Sequence, residues 1–230
     1  MLNYSNSPKS KKPHFNVVIA TPGNQMCADY VKSLMATVYA LQINNISWIY
    51  QSEYASIITN AREATVTGSK NLEIFNSSPG KDQYTYDKIF FIDSDIVWSP
   101  DQFLKLYSSD KSAISAVYYE VQGRDAMIYR EKNEFYPMKR EEIEACQKTG
   151  DLFTAYGVGL GFMCLKAGVI ESIKRPWFTL GKVIQEDNGI QYEIPQGEDL
   201  YFCERIAERG HQVFVDPTVV VGHVKSSIVC

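Results

Sequence analysis

The chain has little of what marks several common protein classes. Its cysteines are few and poorly spaced for a framework: the five, Cys27, Cys146, Cys164, Cys203 and Cys230, are odd in number and include no C-x-x-C pair. That argues against a disulfide scaffold or a structural zinc site and fits a reducing compartment. No apolar run approaches the roughly 20 residues of a membrane-spanning helix. The N-terminus lacks the apolar core of a signal peptide. Positive charge is not in excess, since the formal net charge is -4, which argues against a broad basic face for duplex nucleic acid. There is no internal repeat and no low-complexity tract. The expectation is a soluble, cytoplasmic protein with no transmembrane segment and no nucleic-acid partner. What is plentiful is apolar character, 45% of 230 residues, enough for a substantial core in one large domain.

The informative stretch is Lys88 to Trp98. Ile89 to Ile92 is a short, continuous apolar run and reads as a strand buried on both faces of an α/β sheet. Asp93 and Asp95 follow at once. Ser99-Pro100-Asp101-Gln102 then reads as a helix start, with Ser99 and Gln102 as a capping box and Pro100 in the first turn. The two carboxylates are thus expected where a strand hands over to a helix, at the carboxyl edge of the sheet, where open α/β sheets bind ligands. Two neighbouring carboxylates repel, and a hard divalent cation such as Mg2+ or Mn2+ relieves that repulsion. Such an ion commonly holds phosphates. The plainer alternative makes Asp93 and Asp95 turn residues at a strand end.

The rest of the chain supports the α/β reading. Residues 1–13 are polar, carry Lys9, Lys11 and Lys12, and read as a disordered tail before a domain over 14–230. Phe15 to Thr21 reads as the first strand. A helix is expected from about Ala28 to Leu41, with Val31, Leu34, Met35, Val38 and Leu41 as its core stripe. Ile46 to Tyr50 completes a β-α-β unit. Ser56 to Val66 reads as helix, Asn71 to Phe75 as a further turn of helix, and Ser77 to Tyr86 as loop. After the helix from Ser99 to Tyr107, Ala113 to Tyr118 is another strand. Ala126 to Tyr129 and Glu134 to Met138 are expected to pair as a hairpin, and Lys139 to Gly150 to be a mobile charged insert. Phe162 to Leu165 reads as strand, Ala167 to Ile173 as a short helix, and Gln185 to Gln196 as polar loop. Glu198 to Glu208 reads as an amphipathic helix stopped by Gly210. Val213 to Val215 and Thr218 to Val221 are the closing strands.

Several other groups are candidates for chemistry. Glu198 and Asp199 open the last helix, and one of them is suited to act as a general base for a hydroxyl nucleophile; as first-turn acids they are also ordinary dipole complements. His223 follows the last strand and is either structural or a metal ligand completing a site begun by Asp95, a nitrogen donor that favours Mn2+. Lys225 is placed to neutralise a leaving phosphate, or is simply solvated. Arg62, on the second helix, offers bidentate phosphate contact or a surface ion pair. Gly157, Gly159 and Gly161 permit close backbone approach to a ligand. They are not a dinucleotide fingerprint, because the third glycine precedes a strand.

Taken in order, FNVVIATP at residues 15–22, Asn60-Ala61-Arg62, the apolar strand before Asp93-Ser94-Asp95, the segment Gly157 to Gly161, Gly197-Glu198-Asp199 and the late His223 form a pattern. Over roughly residues 15–225 the chain resembles the GT-A fold glycosyltransferases, especially small phage- and virus-type members. The resemblance implies one Rossmann-like domain with a central mixed, mostly parallel sheet flanked by helices. It also implies a nucleotide-sugar donor, most often a UDP-sugar, hexosyl transfer to a hydroxyl of a glycan, and, if the chain is viral, residence in the host cytoplasm. By the same resemblance Asp95 ligates the metal directly, Asp93 contacts ribose or metal-bound water, and His223 supplies the late ligand. Thr21 and Pro22 would line the nucleoside pocket with residues after the second strand. Relatives often carry an acid there; this chain has Gln51 and Ser52, with Glu53 further on. Asp93, Ser94, Arg62 and Lys225 fall on the donor's side. Where relatives have Asn after the Ala-Arg pair, this chain has Glu63.

On this reading the product inverts if Asp199 takes the acceptor proton, and retention is open if no carboxylate reaches the acceptor. Two rivals stand beside it. One is a phosphatase of the haloacid-dehalogenase type with Asp93 as nucleophile. The other is a module of the same fold that binds a carbohydrate or nucleotide sugar without turning it over.

Overall fold

The structure, a computed structural model, describes residues 11–68, 78–120, 122–132, 136–187 and 189–224. The first ten residues of the expected tail, the helical turn expected at Asn71 to Phe75, Lys225 and Cys230 lie outside the described residues.

In chain order the elements are β1 (His14–Pro22), α1 (Ala28–Ile43), β2 (Trp48–Glu53), α2 (Ile58–Thr67), β3 (Thr85–Ile92), β4 (Ile96–Val97), α3 (Pro100–Ser108), β5 (Ala113–Val117) and β6 (Ile128–Tyr129). They continue with α4 (Arg140–Thr149), β7 (Phe153–Ala155), β8 (Gly157–Val158), β9 (Phe162–Lys166), β10 (Gly181–Asp187), β11 (Ile190–Gln196), α5 (Glu198–Ala207), β12 (Val213–Val220) and β13 (Gly222–His223). Seven strands form one sheet in the order β2-β1-β3-β9-β5-β12-β7. β2, β1 and β3 run parallel, as do β5 and β12, while β9 and β7 pair antiparallel with their neighbours. The sheet is therefore mixed and mostly parallel in direction. Helices cover both faces, as an α/β sheet requires.

β3 shows why. Its side chains alternate between two cores. Ile89 and Phe91 enter the one that includes Val66, Phe178, Phe202 and Ile206, and Phe90 and Ile92 the one that includes Tyr30, Leu41, Trp98, Phe103 and Phe162. Burial on both faces is the cause of the continuous apolar run. After the strand, Ser99 caps α3 by the expected box. The Gln102 N–H donates to Ser99 Oγ at 3.3 Å and the Ser99 N–H to Gln102 Oε1 at 2.8 Å.

Several expectations are corrected. The stripe expected to be the core of α1 is its buried face only in part: Leu41 is fully buried and Leu34 packs against the core as expected. Tyr30, Ser33, Thr37 and Leu41 face inward, and Val31 and Met35 face solvent. Trp98 is the reason: its backbone N–H donates to Ser33 Oγ at 3.1 Å and its indole N–H to Thr37 Oγ1 at 2.8 Å. Leaving a buried donor unmet costs about 1–3 kcal/mol, so the helix turns its hydroxyls to the backbone and indole N–H groups of Trp98. Burying a side chain such as Val or Met is worth roughly 1.5–3 kcal/mol, and the described fold forgoes it.

The charged segment from Lys139 to Gly150 is not a mobile insert but the helix α4, closed by Gly150 at φ +72°. Its residues are good helix formers, and the buried Ile143 anchors it. The supposed loop from Gln185 to Gln196 belongs to the antiparallel hairpin β10–β11. Its alternation of Ile190, Tyr192 and Ile194 is a period of two hidden among polar residues. β6 pairs with β8. Of the hairpin expected between Ala126 to Tyr129 and Glu134 to Met138, the Ala126 N–H donates to the Met138 carbonyl and the Met138 N–H to the Ile128 carbonyl, each at 2.8 Å, while residues 133–135 lie outside the described residues. The two closing strands are one strand, β12, with a register irregularity between Val215 and Val220. α5 ends as expected, with Gly210 at φ +86°.

Candidate functional site

Because β1, β2 and β3 are parallel, their carboxyl ends share one edge, and so do the ends of β5 and β12. Asp93 to Asp95, the segment after Pro22, Tyr118 and Tyr119, and His223 are all gathered there. The Asp93 N–H donates to the Gly161 carbonyl at 3.0 Å and the Ile96 N–H to the Asp93 carbonyl at 3.0 Å, which fixes the turn that separates the two carboxylates.

Asp95 and His223 meet. β13 pairs antiparallel with β4, with His223 opposite Ile96, and the Val224 N–H donates to the Asp95 carbonyl at 2.8 Å. His223 Nε2 lies 3.3 Å from Asp95 Oδ2. Its Nδ1 is 2.9 Å from the Tyr119 carbonyl oxygen, a group that only accepts, so Nδ1 carries the proton in that bond. Nε2 is then the ring nitrogen that faces the carboxylate. The arrangement is satisfied by a proton or a cation between them, and it is the second-sphere pattern that orients ligating histidines.

Asp93, expected at the metal or the ribose, does not join this pair. Arg62 holds it with Nη1 at 3.2 Å from Oδ1 and Nη2 at 3.4 Å from Oδ2. Arg62 Nε lies 3.5 Å from Glu198 Oε1. The guanidinium is thus buried between carboxylates rather than in an ion pair at the surface. Burial works against its charge, but Asp93, Glu198 and Asp199 outweigh that and hold its pKa above the ordinary value. Burial, then the neighbouring Glu198, pushes the Asp199 carboxyl pKa upward, while Arg62 opposes. A base poised above the ordinary carboxylate range accepts a proton more readily.

The glycine run serves packing, not a ligand. A Cβ on Gly159 would lie 1.9 Å from the Tyr118 hydroxyl, and one on Gly161 2.7 Å from the Tyr118 ring. One on Gly157 would lie 2.7 Å from the Leu200 side chain. The Gly161 N–H donates to the Tyr118 hydroxyl at 3.2 Å, and the Tyr118 ring stands edge-on to His223 with centroids 5.4 Å apart. Tyr118 and the Tyr119 carbonyl were not legible as site groups. The clue present in sequence was three closely spaced glycines needing a large neighbour.

Two pockets flank the carboxylates. One, of about 380 Å³, is lined by Pro22, Gly23, Tyr54, Ser56, Ile58 and Ser94 among others. Pro22, Ser94 and the residues after β2 are thus where a nucleoside pocket was expected. Thr21 is not; it is fully buried and hydrogen-bonded to the Tyr30 hydroxyl. Gln51 is not among the lining residues either and turns its amide to Gly68. The second pocket, of about 160 Å³, lies at the start of α5 and is lined by Tyr129, Lys132, Tyr156, Gln196, Gly197 and Leu200 with parts of the hairpin. Glu63 is buried away from both, paired with Arg175 Nε at 2.6 Å and accepting the Phe178 N–H at 2.9 Å.

Among the described residues no group of three or more His, Cys, Asp and Glu side chains could hold a metal ion. Asp95 and His223 offer one oxygen and one nitrogen donor, which suits a divalent cation whose remaining positions are filled by phosphate oxygens and water. Among the described residues no helix is long and apolar enough to cross a membrane.

No protein-family model matches the chain, and no curated protein matches it in sequence. Solved structures match it in fold. The catalytic domain of Drosophila beta1,4galactosyltransferase 7, in complex with xylobiose, aligns with a TM-score of 0.50 at 12% identity, over 93% of this chain and 71% of that one. GalNAc-T7 with UDP, GalNAc and Mn2+ aligns with a TM-score of 0.51 at 11% identity, over 94% of this chain and 43% of that one. The chain therefore spans less than half the length of the second protein. At these identities the likeness is one of fold, and the fold is GT-A-like.

Proposed function

We propose that the protein is a metal-dependent glycosyltransferase that moves a sugar, a hexose by preference, from a nucleotide-sugar donor such as a UDP-sugar to a hydroxyl of a glycan acceptor. The observation that carries this reading is the Asp95–His223 pair, 3.3 Å apart, with the Nδ1 proton of His223 engaged by a carbonyl. Beside it Asp93, Glu198 and Asp199 surround the single guanidinium of Arg62. Negative charge in that excess favours positive charge brought from outside. Mn2+, or Mg2+, bound by Asp95 and His223 would offset the charge that develops on the nucleoside diphosphate as it departs.

The chain's own groups do the rest. The pocket at Pro22, Tyr54 and Ser94 receives the nucleoside, with the exposed Tyr54 ring available for stacking on a base. Arg62 locks Asp93 and Glu198 in place, so neither swings toward the phosphates. The acceptor enters through the pocket at Tyr129, Tyr156 and Leu200, beside the start of α5. Asp199 takes the proton of the acceptor hydroxyl while that oxygen bonds to the anomeric carbon. The bond from that carbon to the phosphate oxygen breaks, and the nucleoside diphosphate leaves with the electron pair. Attack opposite the leaving group inverts the centre.

The test is a thermal-shift panel of nucleotide sugars with and without Mn2+, followed by donor-hydrolysis assays. Binding to the folded state raises the melting temperature. A metal-dependent shift with one sugar nucleotide, together with metal-dependent release of its sugar, is the expected result. Tight binding with no turnover under any acceptor would leave only a binding module. Phosphate trapped covalently on Asp93 would point to the phosphatase.

A further inference from the structure

Helix α1 packs one face inward and exposes a second face that is largely apolar. Its inner face packs on the sheet through Tyr30 and Leu41. Its outer face carries Val31, Met35, Tyr39 and Ile43, which are 43%, 63%, 67% and 61% exposed. Side chains four apart stack along one side of a helix, so the four make a continuous strip about 18 Å long at 1.5 Å per residue. Asp29 and Lys32 are the charged residues of α1, and they pair with each other at 2.8 Å. A contiguous exposed apolar strip of this kind marks an interaction surface.

We propose that the outer face of α1 is a homodimer interface, on which a second copy of this chain lays its own α1 antiparallel across a two-fold axis. The reading is independent of the catalytic one. Three features select a second copy over other occupants. The first is self-complementarity. A two-fold axis at the level of residue 37 sets Val31 of one copy against Ile43 of the other and Met35 against Tyr39, which is what an isologous contact requires. Both pairs match a longer side chain with a shorter one. The second is charge. The face is neutral, so it meets its own copy without repulsion, whereas a surface for anionic lipid would carry a basic flank. The third is area. The exposed parts of the four side chains present roughly 400 Å² per copy, a patch of the size that marks functional surfaces. Counted on both copies and extended by Ala28, Ala36 and Gln42, this reaches the roughly 1,000 Å² total of a specific interface.

The experiment is sedimentation velocity on the full chain from about 1 to 100 µM, where a dimer reveals itself by concentration dependence. The wild type is expected to pass from monomer to dimer across that range. The double variant Met35→Glu/Tyr39→Glu is expected to stay monomeric, with a dissociation constant raised at least tenfold. Its circular dichroism should be unchanged, because both side chains lie outside the core. Should that variant fold poorly, Tyr39→Ser alone is the milder substitution and should weaken the dimer with the fold intact. A wild type that is monomeric throughout overturns the proposal. So does a dimer that survives the folded variants undiminished. Sedimentation of monomeric wild type with phosphatidylserine-containing vesicles would assign the face to a membrane and overturn it as well.

Discussion

Arg62 and Glu63 are neighbours on α2, both are almost fully buried, and they meet opposite surroundings. Successive helical residues point about 100° apart, so one looks to the carboxyl edge and the other beneath it. Glu63 meets Arg175 and the Phe178 N–H: one carboxylate, one guanidinium and a backbone donor. Arg62 meets Asp93 and Glu198, with Asp199 close behind, and the Asp95–His223 pair follows Asp93 by two residues. The first cluster is balanced and complete. The second holds more negative than positive charge, which folding alone does not favour. On the proposed function, the contrast separates a charge kept for structure from charges kept for a ligand.

The sharpest way to break the comparison is Asp95→Ala. Sugar release from the donor should fall by about 10³-fold or more, a loss of at least about 4 kcal/mol of transition-state stabilisation. EDTA should reproduce the loss in the wild type, and undiminished donor hydrolysis after both would end the metal reading. Asp199→Asn comes next. Transfer should fall by about 10²–10⁴-fold with nucleotide affinity spared.

The same substitution has a stability signature. The pKa of Asp199 is raised in the folded state, first by burial and then by Glu198. The stability this lends is therefore present below the ordinary carboxylate pKa and is lost as pH rises through the raised value. Melting curves should show Asp199→Asn more stable than the wild type at neutral pH, with the advantage vanishing in acid. The acid limb of the transfer rate should likewise lie above the ordinary carboxylate range.

On the balanced side, Glu63→Ala leaves Arg175 buried without its partner and should cost about 3–5 kcal/mol in chemical denaturation. Activity per folded molecule should be retained. Activity lost in step with Asp95→Ala would mean that the two clusters are one unit. The smallest effect is expected from Arg62→Lys, which keeps the charge and loses the fork on Asp93. Turnover should drop about tenfold with little change in melting temperature.

Elements whose signals are local were legible. The β3 run, its two carboxylates and the Ser99–Gln102 box depend on neighbours within a few residues, and they stand as read. What depends on distant partners was not. Ser33 and Thr37 go inward because Trp98 lies over them, some sixty residues away in sequence. Polarity alone gives no sign of that. Gly159 and Gly161 exist for the Tyr118 ring, and Arg62 reaches carboxylates instead of the surface. α4 is obscured in the sequence because its charge density resembles that of a mobile insert, although its composition favours a helix. The hairpin β10–β11 was obscured because its alternating apolar residues are diluted by polar ones.

By itself, then, the sequence determined that a doubly buried strand ends in two carboxylates at the edge of an α/β sheet. Alternation, apolar runs and caps act through contacts only a few residues long. Only the tertiary structure decided that Asp93 turns to Arg62 while Asp95 turns to His223. That choice rests on which strands pair across the sheet and which charges burial brings within a few ångströms, and neither is written in any one stretch of chain.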